Sequence, residues 1–189
     1  MTSSNNFINY CKTVRLPITD GKQIQDGSCN PVPMGSIPSK AKMPAAKFVF
    51  PANLGRVAKN QKFTVKMAIQ NLETGFFTNA QQNYFAAPQQ LNNQGIIQGH
   101  SHVVIQKIES MKSTKIADPT VFAFFKGLNA KAVNGILDTE VTDGLPEGVY
   151  RLCSINTSSN HAPVVVPVAQ HGALDDCVYV SVCFDLAFP

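Results

Sequence analysis

Alternation of apolar and polar residues with a period of two constrains the fold of this chain more than any other feature. The segment KFTVKMAIQNL at 62 to 72 places Phe63, Val65, Met67 and Ile69 on one side of an extended backbone. No segment has a sustained helical period, and 12 Gly and 12 Pro interrupt the 189 residues. These features predict short strands joined by turns.

The strand pattern extends over most of the chain, with turn signals roughly every ten residues and no helical segments between the strands. We therefore expect an all-β fold, an immunoglobulin-like or related antiparallel β-sandwich. The predicted strands are 47–51, 62–72, 100–108, 136–142, 149–155, 163–168 and 176–186, and the segment 122–128 is predicted as either a strand or a short irregular piece.

The first 45 residues are interrupted by Pro and Gly and have little periodicity. We expect an irregular N-terminal arm at 1–45 packed on a β-sandwich domain at 46–189. The longest apolar run, from Ala162 to Ala169, has eight residues and two prolines, so no membrane span is expected. The chain starts without the basic and apolar stretches of a signal peptide, which fits a cytosolic protein or a mature secreted form.

Five cysteines, at positions 11, 29, 153, 177 and 183, form no CxxC pair, which argues against a zinc ribbon. Two disulfides and one thiol is the preferred interpretation. A bridge between Cys11 and Cys29 would close a loop in the arm and contribute about 3 kcal/mol. Five reduced, mostly buried cysteines are the alternative.

Positive charge is concentrated near the N-terminus. Residues 1–66 hold ten Lys or Arg and two acids, whereas residues 67–189 hold six and ten, which gives +8 and −4. The basic part could dock on an acidic partner. The alternative is a solvated surface, because the lysines are scattered singly, and no nucleic-acid partner is expected.

The four histidines are the strongest candidates for a site. His100 and His102 lie two apart on a predicted strand and so project from one face, while His161 and His171 flank the segment 163–168. Imidazole ligands in this pattern suit copper or zinc, with Asp175 or Asp176 as an oxygen ligand. The alternative is that these are ordinary polar residues at the ends of strands.

Motifs for nucleophilic, zinc-protease or nucleotide chemistry are missing from the sequence. The carboxylate pairs Asp138 with Glu140 and Asp175 with Asp176 lack the Trp platforms usual around a sugar cleft, because the chain has no Trp. One sequon, Asn156-Thr157-Ser158, is predicted to lie in a polar loop where a glycan could be attached.

Several stretches resemble a family of small secreted basidiomycete proteins, and more distantly the small subunit of heterodimeric fungal laccases. The resemblance implies export through a signal peptide absent from this sequence, and it implies no catalytic residues. A second disulfide between Cys153 and Cys177 would be an addition in this chain relative to the family. The stretches are SNNFINYC at 4–11, GSCNPVPMG at 27–35, the segments at 71–91 and 99–106, and GLPEGVYRLCSINTSSNHAPVVVPVAQHGALDDCVYV at 144–180.

The leading prediction is therefore a secreted fungal accessory protein that binds and stabilises a partner such as an extracellular oxidase, for example a laccase. A histidine-based copper or zinc binding domain is the alternative. An enzyme of unnamed reaction stays open, because no constellation of residues names a chemistry.

Overall fold

The computed structural model describes residues 7–19 and 21–184. Within them no helix is long and apolar enough to cross a lipid bilayer. The strands of these residues are β1 (Ala45–Phe50), β2 (Arg56–Ala58), β3 (Phe63–Gln70), β4 (Leu72–Thr74), β5 (Gln90–Leu91), β6 (Ile97–Ile108), β7 (Phe124–Leu128), β8 (Ile136–Val141), β9 (Gly148–Ser158) and β10 (Cys177–Cys183).

Two sheets form the fold, and the predicted all-β sandwich-like class is confirmed. The smaller sheet has the order β1-β3-β8, and the larger has the order β2-β10-β9-β6-β4, with β5 and β7 also paired to β6. Two short pairings, β2 with β10 and β4 with β6, are parallel, and the remaining strand pairings are antiparallel. The parallel pairs are additions to the expected antiparallel pattern.

The core lies between the sheets because alternate residues of both sheets are apolar. Met67 of β3 and Leu152 of β9 are fully buried, and both belong to one continuous hydrophobic cluster. In β10 the residues Val178, Val180 and Val182 face this core, while the residues between them face outward. The two-residue period in the sequence thus corresponds directly to burial.

The segment 163–168 is not a strand, although the sequence predicted one. It contributes only an isolated bridge between Thr157 and Pro163. The two prolines of PVVVPV cannot donate to a ladder, which explains why the apolar run does not join a sheet. The last two residues of the predicted strand 176–186 lie outside the described residues.

The described part of the N-terminal arm contains two short 3-10 turns, Tyr10–Lys12 and Lys40–Lys42, and isolated bridges. A disulfide joins Cys11 to Cys29 within the arm, and a second joins Cys153 of β9 to Cys177 of β10. Cys183 is not disulfide-bonded. Two disulfides and one remaining thiol is therefore the correct count.

The packing of the core predicts that truncation of a buried side chain destabilises the protein more than truncation of an exposed one. Leu152→Ala should lower the free energy of unfolding by about 2–5 kcal/mol, because it leaves a cavity in the continuous core. The matched change Val49→Ala, at a side chain that is 52% exposed, should cost less than about 0.5 kcal/mol. Urea unfolding of both variants checks this, and equal losses would contradict the placement of the core.

Candidate metal centre

Pairing of β6 with β9 places the first two histidines of the centre. The two strands are antiparallel over ten residue pairs, with His100 opposite Thr157 and His102 opposite Ile155. Alternation along β6 turns both imidazoles to the same face, and their ring centroids are 4.8 Å apart. Ser101 points to the other face, where its hydroxyl donates to Asn156 Oδ1 at 2.7 Å.

His161 enters the same centre from the turn that follows β9. Its φ of 65° lies in the left-handed region, and its N–H donates to Ser158 O at 3.0 Å. This turn folds the ring back over the strand end, with its centroid 4.5 Å from that of His100 and 6.1 Å from that of His102. The turn therefore brings residues about sixty positions apart in sequence into contact.

One nitrogen from each of these three rings lies within 4.8 Å of the others. Tetrahedral ligands at the usual Zn–N distance are about 3.3 Å apart, so the rings need to close by up to about 1.5 Å around an ion. His100 is fully buried, and His161 is the most exposed ring of the three. Catalytic zinc sites with three protein ligands keep a fourth position for water.

Each ring uses its Nδ1 atom for a backbone carbonyl. Nδ1 of His100 is 3.0 Å from Phe76 O, that of His102 is 3.4 Å from Ile155 O, and that of His161 is 3.3 Å from Tyr84 O. Because a carbonyl oxygen only accepts, Nδ1 carries the proton in each neutral ring and the lone pair is on Nε2. Metal-binding histidines are oriented by this kind of contact.

Burial and mutual proximity keep the three rings neutral. Burial, aided by the neighbouring imidazoles of His102 and His161, lowers the pKa of His100 to about 4. Burial also lowers the pKa values of His102 and His161. Among the described residues no carboxylate counteracts these shifts. Neutral imidazole is the form that binds a metal ion.

The other three candidate ligands lie elsewhere and have structural partners. His171 is exposed, with its Nδ1 2.6 Å from Gly172 O. Asp175 accepts from Ser154 Oγ at 2.7 Å and from the N–H of Asn156 at 2.8 Å. Asp176 accepts from the N–H of Phe48 at 2.8 Å and so links β1 to the start of β10. The carboxylates thus satisfy backbone donors and do not join the cluster.

The predicted loop position of Asn156 was wrong, because Asn156 lies inside β9 and is 1% exposed. Its Nδ2 atom donates to Leu174 O at 2.8 Å. A glycan attached to this nitrogen would have to occupy the packed space behind the strand. The folded chain therefore has no room for a glycan at the sequon.

Sequence reasoning missed the residues that orient the rings. They lie in the segment between β4 and β5, residues 75–89, which we call the bracing loop. The ring of Tyr84 stacks on His161 with centroids 4.0 Å apart and planes at 15°. Thr78 Oγ1 donates to Tyr84 O at 2.9 Å, beside the His161 ring. Aromatic residues within an Asn/Gln-rich stretch were the available signal, but they do not reveal which ring they contact.

The fold and the cluster together define a disulfide-bonded β-sandwich protein with three grouped imidazoles. Residues 46–183 match the family model described as the CLU5d N-terminal domain, and the chain belongs to that family. It is 46% identical over 174 residues to "Pathogenicity cluster 5 protein d" of Colletotrichum graminicola. The match covers 91% of this chain and 36% of that protein, so the chain spans about a third of the relative's length.

These matches confirm the predicted resemblance to a fungal family in its coarser form. Neither match gives a link to laccase small subunits. The two disulfides fit an extracellular protein, because disulfides persist in oxidising compartments.

Buried neutral imidazoles predict a pH dependence of stability in metal-free protein. The unfolded chain takes up protons as the pH falls below about 6.5, whereas His100 in the folded chain resists protonation down to about pH 4. The free energy of unfolding should therefore fall across this range, and His100→Gln should flatten the slope. Urea unfolding at several pH values measures it, and His171→Gln serves as the exposed control. An unchanged slope in His100→Gln would contradict the assignment.

Proposed function

We propose that this chain is an extracellular fungal protein that binds one transition-metal ion, copper or zinc, through Nε2 of His100, His102 and His161. The observation that carries the proposal is the grouping of three neutral imidazoles, with one nitrogen of each ring within 4.8 Å of the others. The Nδ1 atom of each ring lies at a backbone carbonyl, which leaves the lone pair on Nε2. A contact of this kind orients metal-binding histidines.

The type of ligand favours copper and zinc over magnesium and calcium. Three imidazoles without a carboxylate suit Cu and Zn, whereas Mg²⁺ and Ca²⁺ require oxygen ligands. By the usual order of divalent affinities, Cu²⁺ should bind more tightly than Zn²⁺. With three protein ligands, a further coordination position stays available for water or another molecule.

Extracellular accessory function is the setting we propose for this site. The two disulfides support secretion, and the relative's printed name associates it with pathogenicity. Binding to an acidic partner, such as an extracellular oxidase, stays a prediction. On the arm, Ile8 is 76% exposed and Met34 is 61% exposed, which offers apolar as well as basic surface to such a partner.

Metal titration tests the proposal directly. Protein stripped with a chelator and then titrated with Cu²⁺ or Zn²⁺ should bind about one equivalent, and a free metal concentration 100 times Kd should stabilise the fold by about 2.7 kcal/mol. Loss of a ligand should raise the Kd by more than about tenfold, the smallest effect typical of changes to residues that only contact a ligand. The variants that remove one ligand each are His100→Gln, His102→Gln and His161→Gln. Calorimetry measures the affinity and thermal unfolding measures the stabilisation.

His171→Gln is the matched control, because it removes an exposed histidine outside the cluster. It should bind metal as the wild type does. Binding should also weaken as the pH falls, because protons compete for Nε2. Less than about a tenth of an equivalent of copper or zinc bound after reconstitution at neutral pH would reject a tight site.

A further inference from the structure

The bracing loop supplies no metal ligand, yet it contacts two of the three proposed ligands. Phe76 O and Tyr84 O lie at the Nδ1 atoms of His100 and His161, and the Tyr84 ring stacks on the His161 ring. The loop also binds the turn that carries His161, because Asn160 Nδ2 donates to Ala87 O at 2.7 Å. The orientation of both rings therefore depends on where this loop sits.

The N-terminal arm packs on the outer side of the bracing loop. Phe85 N–H donates to Gly21 O at 3.1 Å, next to the residue that stacks on His161. Gln23 Nε2 donates to Ala80 O at 2.6 Å, and Asn30 Nδ2 donates to Phe85 O at 3.3 Å. Three hydrogen bonds, two donated by the arm and one accepted by it, thus join separate arm residues to the middle of the loop.

The contact at Gly21 is too close for a side chain. Its φ is +92°, and a Cβ atom there would lie 3.0 Å from Ala86 Cβ and 3.2 Å from Asn83 Cα. Gly27 has nearly the same φ, +94°, but a Cβ atom there would meet nothing within 4 Å. The two glycines therefore share the same backbone requirement, and only Gly21 is pressed against the loop.

The Cys11–Cys29 disulfide closes the part of the arm that makes these contacts. Both cysteines are buried, and Cys29 exchanges backbone hydrogen bonds with Pro17 and Thr19, at 2.8 and 3.0 Å. Gly21, Gln23 and the loop contact at Asn30 all lie within or next to the crosslinked segment. Since the described arm has only short 3-10 turns and isolated bridges of its own, this crosslink is its principal internal restraint.

We infer that the disulfide-closed arm positions the proposed metal ligands, so that tight metal binding requires the intact Cys11–Cys29 bond and the close contact at Gly21. This inference rests on the proposed function, because it concerns the same three histidines. Its physical basis is preorganisation. When the arm dissociates from the bracing loop, the Tyr84 ring stacks on His161 for a smaller fraction of the time. The apparent Kd for the metal ion then rises in inverse proportion to that fraction.

The experiment compares Gly21→Ala with Gly27→Ala. Both introduce an alanine at positive φ, so both carry the same backbone strain, but only Gly21→Ala pushes the arm away from the loop. Gly21→Ala should raise the Kd for Cu²⁺ about tenfold, as outer-shell changes do, whereas Gly27→Ala should change it less than about twofold. The electron paramagnetic resonance spectrum of bound Cu²⁺ should change only in Gly21→Ala.

Removal of the Cys11–Cys29 crosslink is the second part of the test. The double variant Cys11→Ser with Cys29→Ser should raise the Kd for Cu²⁺ about as much as Gly21→Ala does. The control, Cys153→Ser with Cys177→Ser, should change it little, because the β9–β10 ladder still joins those strands. Serine avoids the free thiols that would themselves bind metal. If Gly21→Ala and the arm double variant both bind as the wild type does, the inference is wrong although the metal proposal stands.

A readout without metal separates the two proposals. The NMR chemical shifts of the His161 ring protons in metal-free protein at neutral pH report the stacked Tyr84 ring directly. In Gly21→Ala these shifts should move toward their unstacked values, because the Tyr84 ring lies on His161 for a smaller fraction of the time, and in Gly27→Ala they should stay as in the wild type. If the wild type binds no metal, the proposed function fails. The chemical shifts then decide the inference, and unchanged shifts in Gly21→Ala would overturn it.

Discussion

The antiparallel pairing of β6 with β9 is the interaction on which the rest of the molecule depends. Its ten residue pairs form the centre of the larger sheet and carry Val103, Ile105 and Leu152 into the core. The same register fixes the outer face, since a slip of one residue would exchange the two faces and bury the histidines among the valines. Core stability and the geometry of the cluster are therefore consequences of one ladder.

Burying three imidazoles together has a cost that the surrounding residues do not remove. A carboxylate beside a histidine would raise its pKa and stabilise the charged form, but the described neighbours are carbonyls, hydroxyls and aromatic rings. The centre thus tolerates neutral rings and disfavours protonated ones. A divalent ion at the proposed site would place positive charge where a proton is disfavoured, and coordinate bonds to the imidazole nitrogens would have to offset that charge.

Sequence was sufficient for the parts of this structure that depend on local periodicity. Alternation predicted the sandwich class, and spacing placed His100 and His102 on one strand. Prediction from the sequence failed where long-range packing determines the structure. The apolar run at 163–168 fits a strand pattern but carries prolines and forms no strand. Asn156 lies in a polar stretch of sequence that nevertheless forms part of β9 in the larger sheet. The choice between His161 and His171 depended on a turn with left-handed backbone, which no periodicity reveals.

The carboxylates show why residue type alone misidentifies a site. Asp175 and Asp176 are suitable oxygen ligands, but Asp175 accepts from the N–H of Asn156 in β9 and Asp176 accepts from the N–H of Phe48 in β1. Burial raises the pKa of Asp175, while its contacts with Ser154 and Asn156 oppose that effect. The bracing loop is the converse case, because it has no ligand of its own and still orients two rings. In this fold, backbone N–H and C=O groups at the ends of strands need hydrogen-bond partners. Side chains that supply those partners, such as the two carboxylates, are held away from the cluster, and carbonyls that accept from the imidazoles orient the rings.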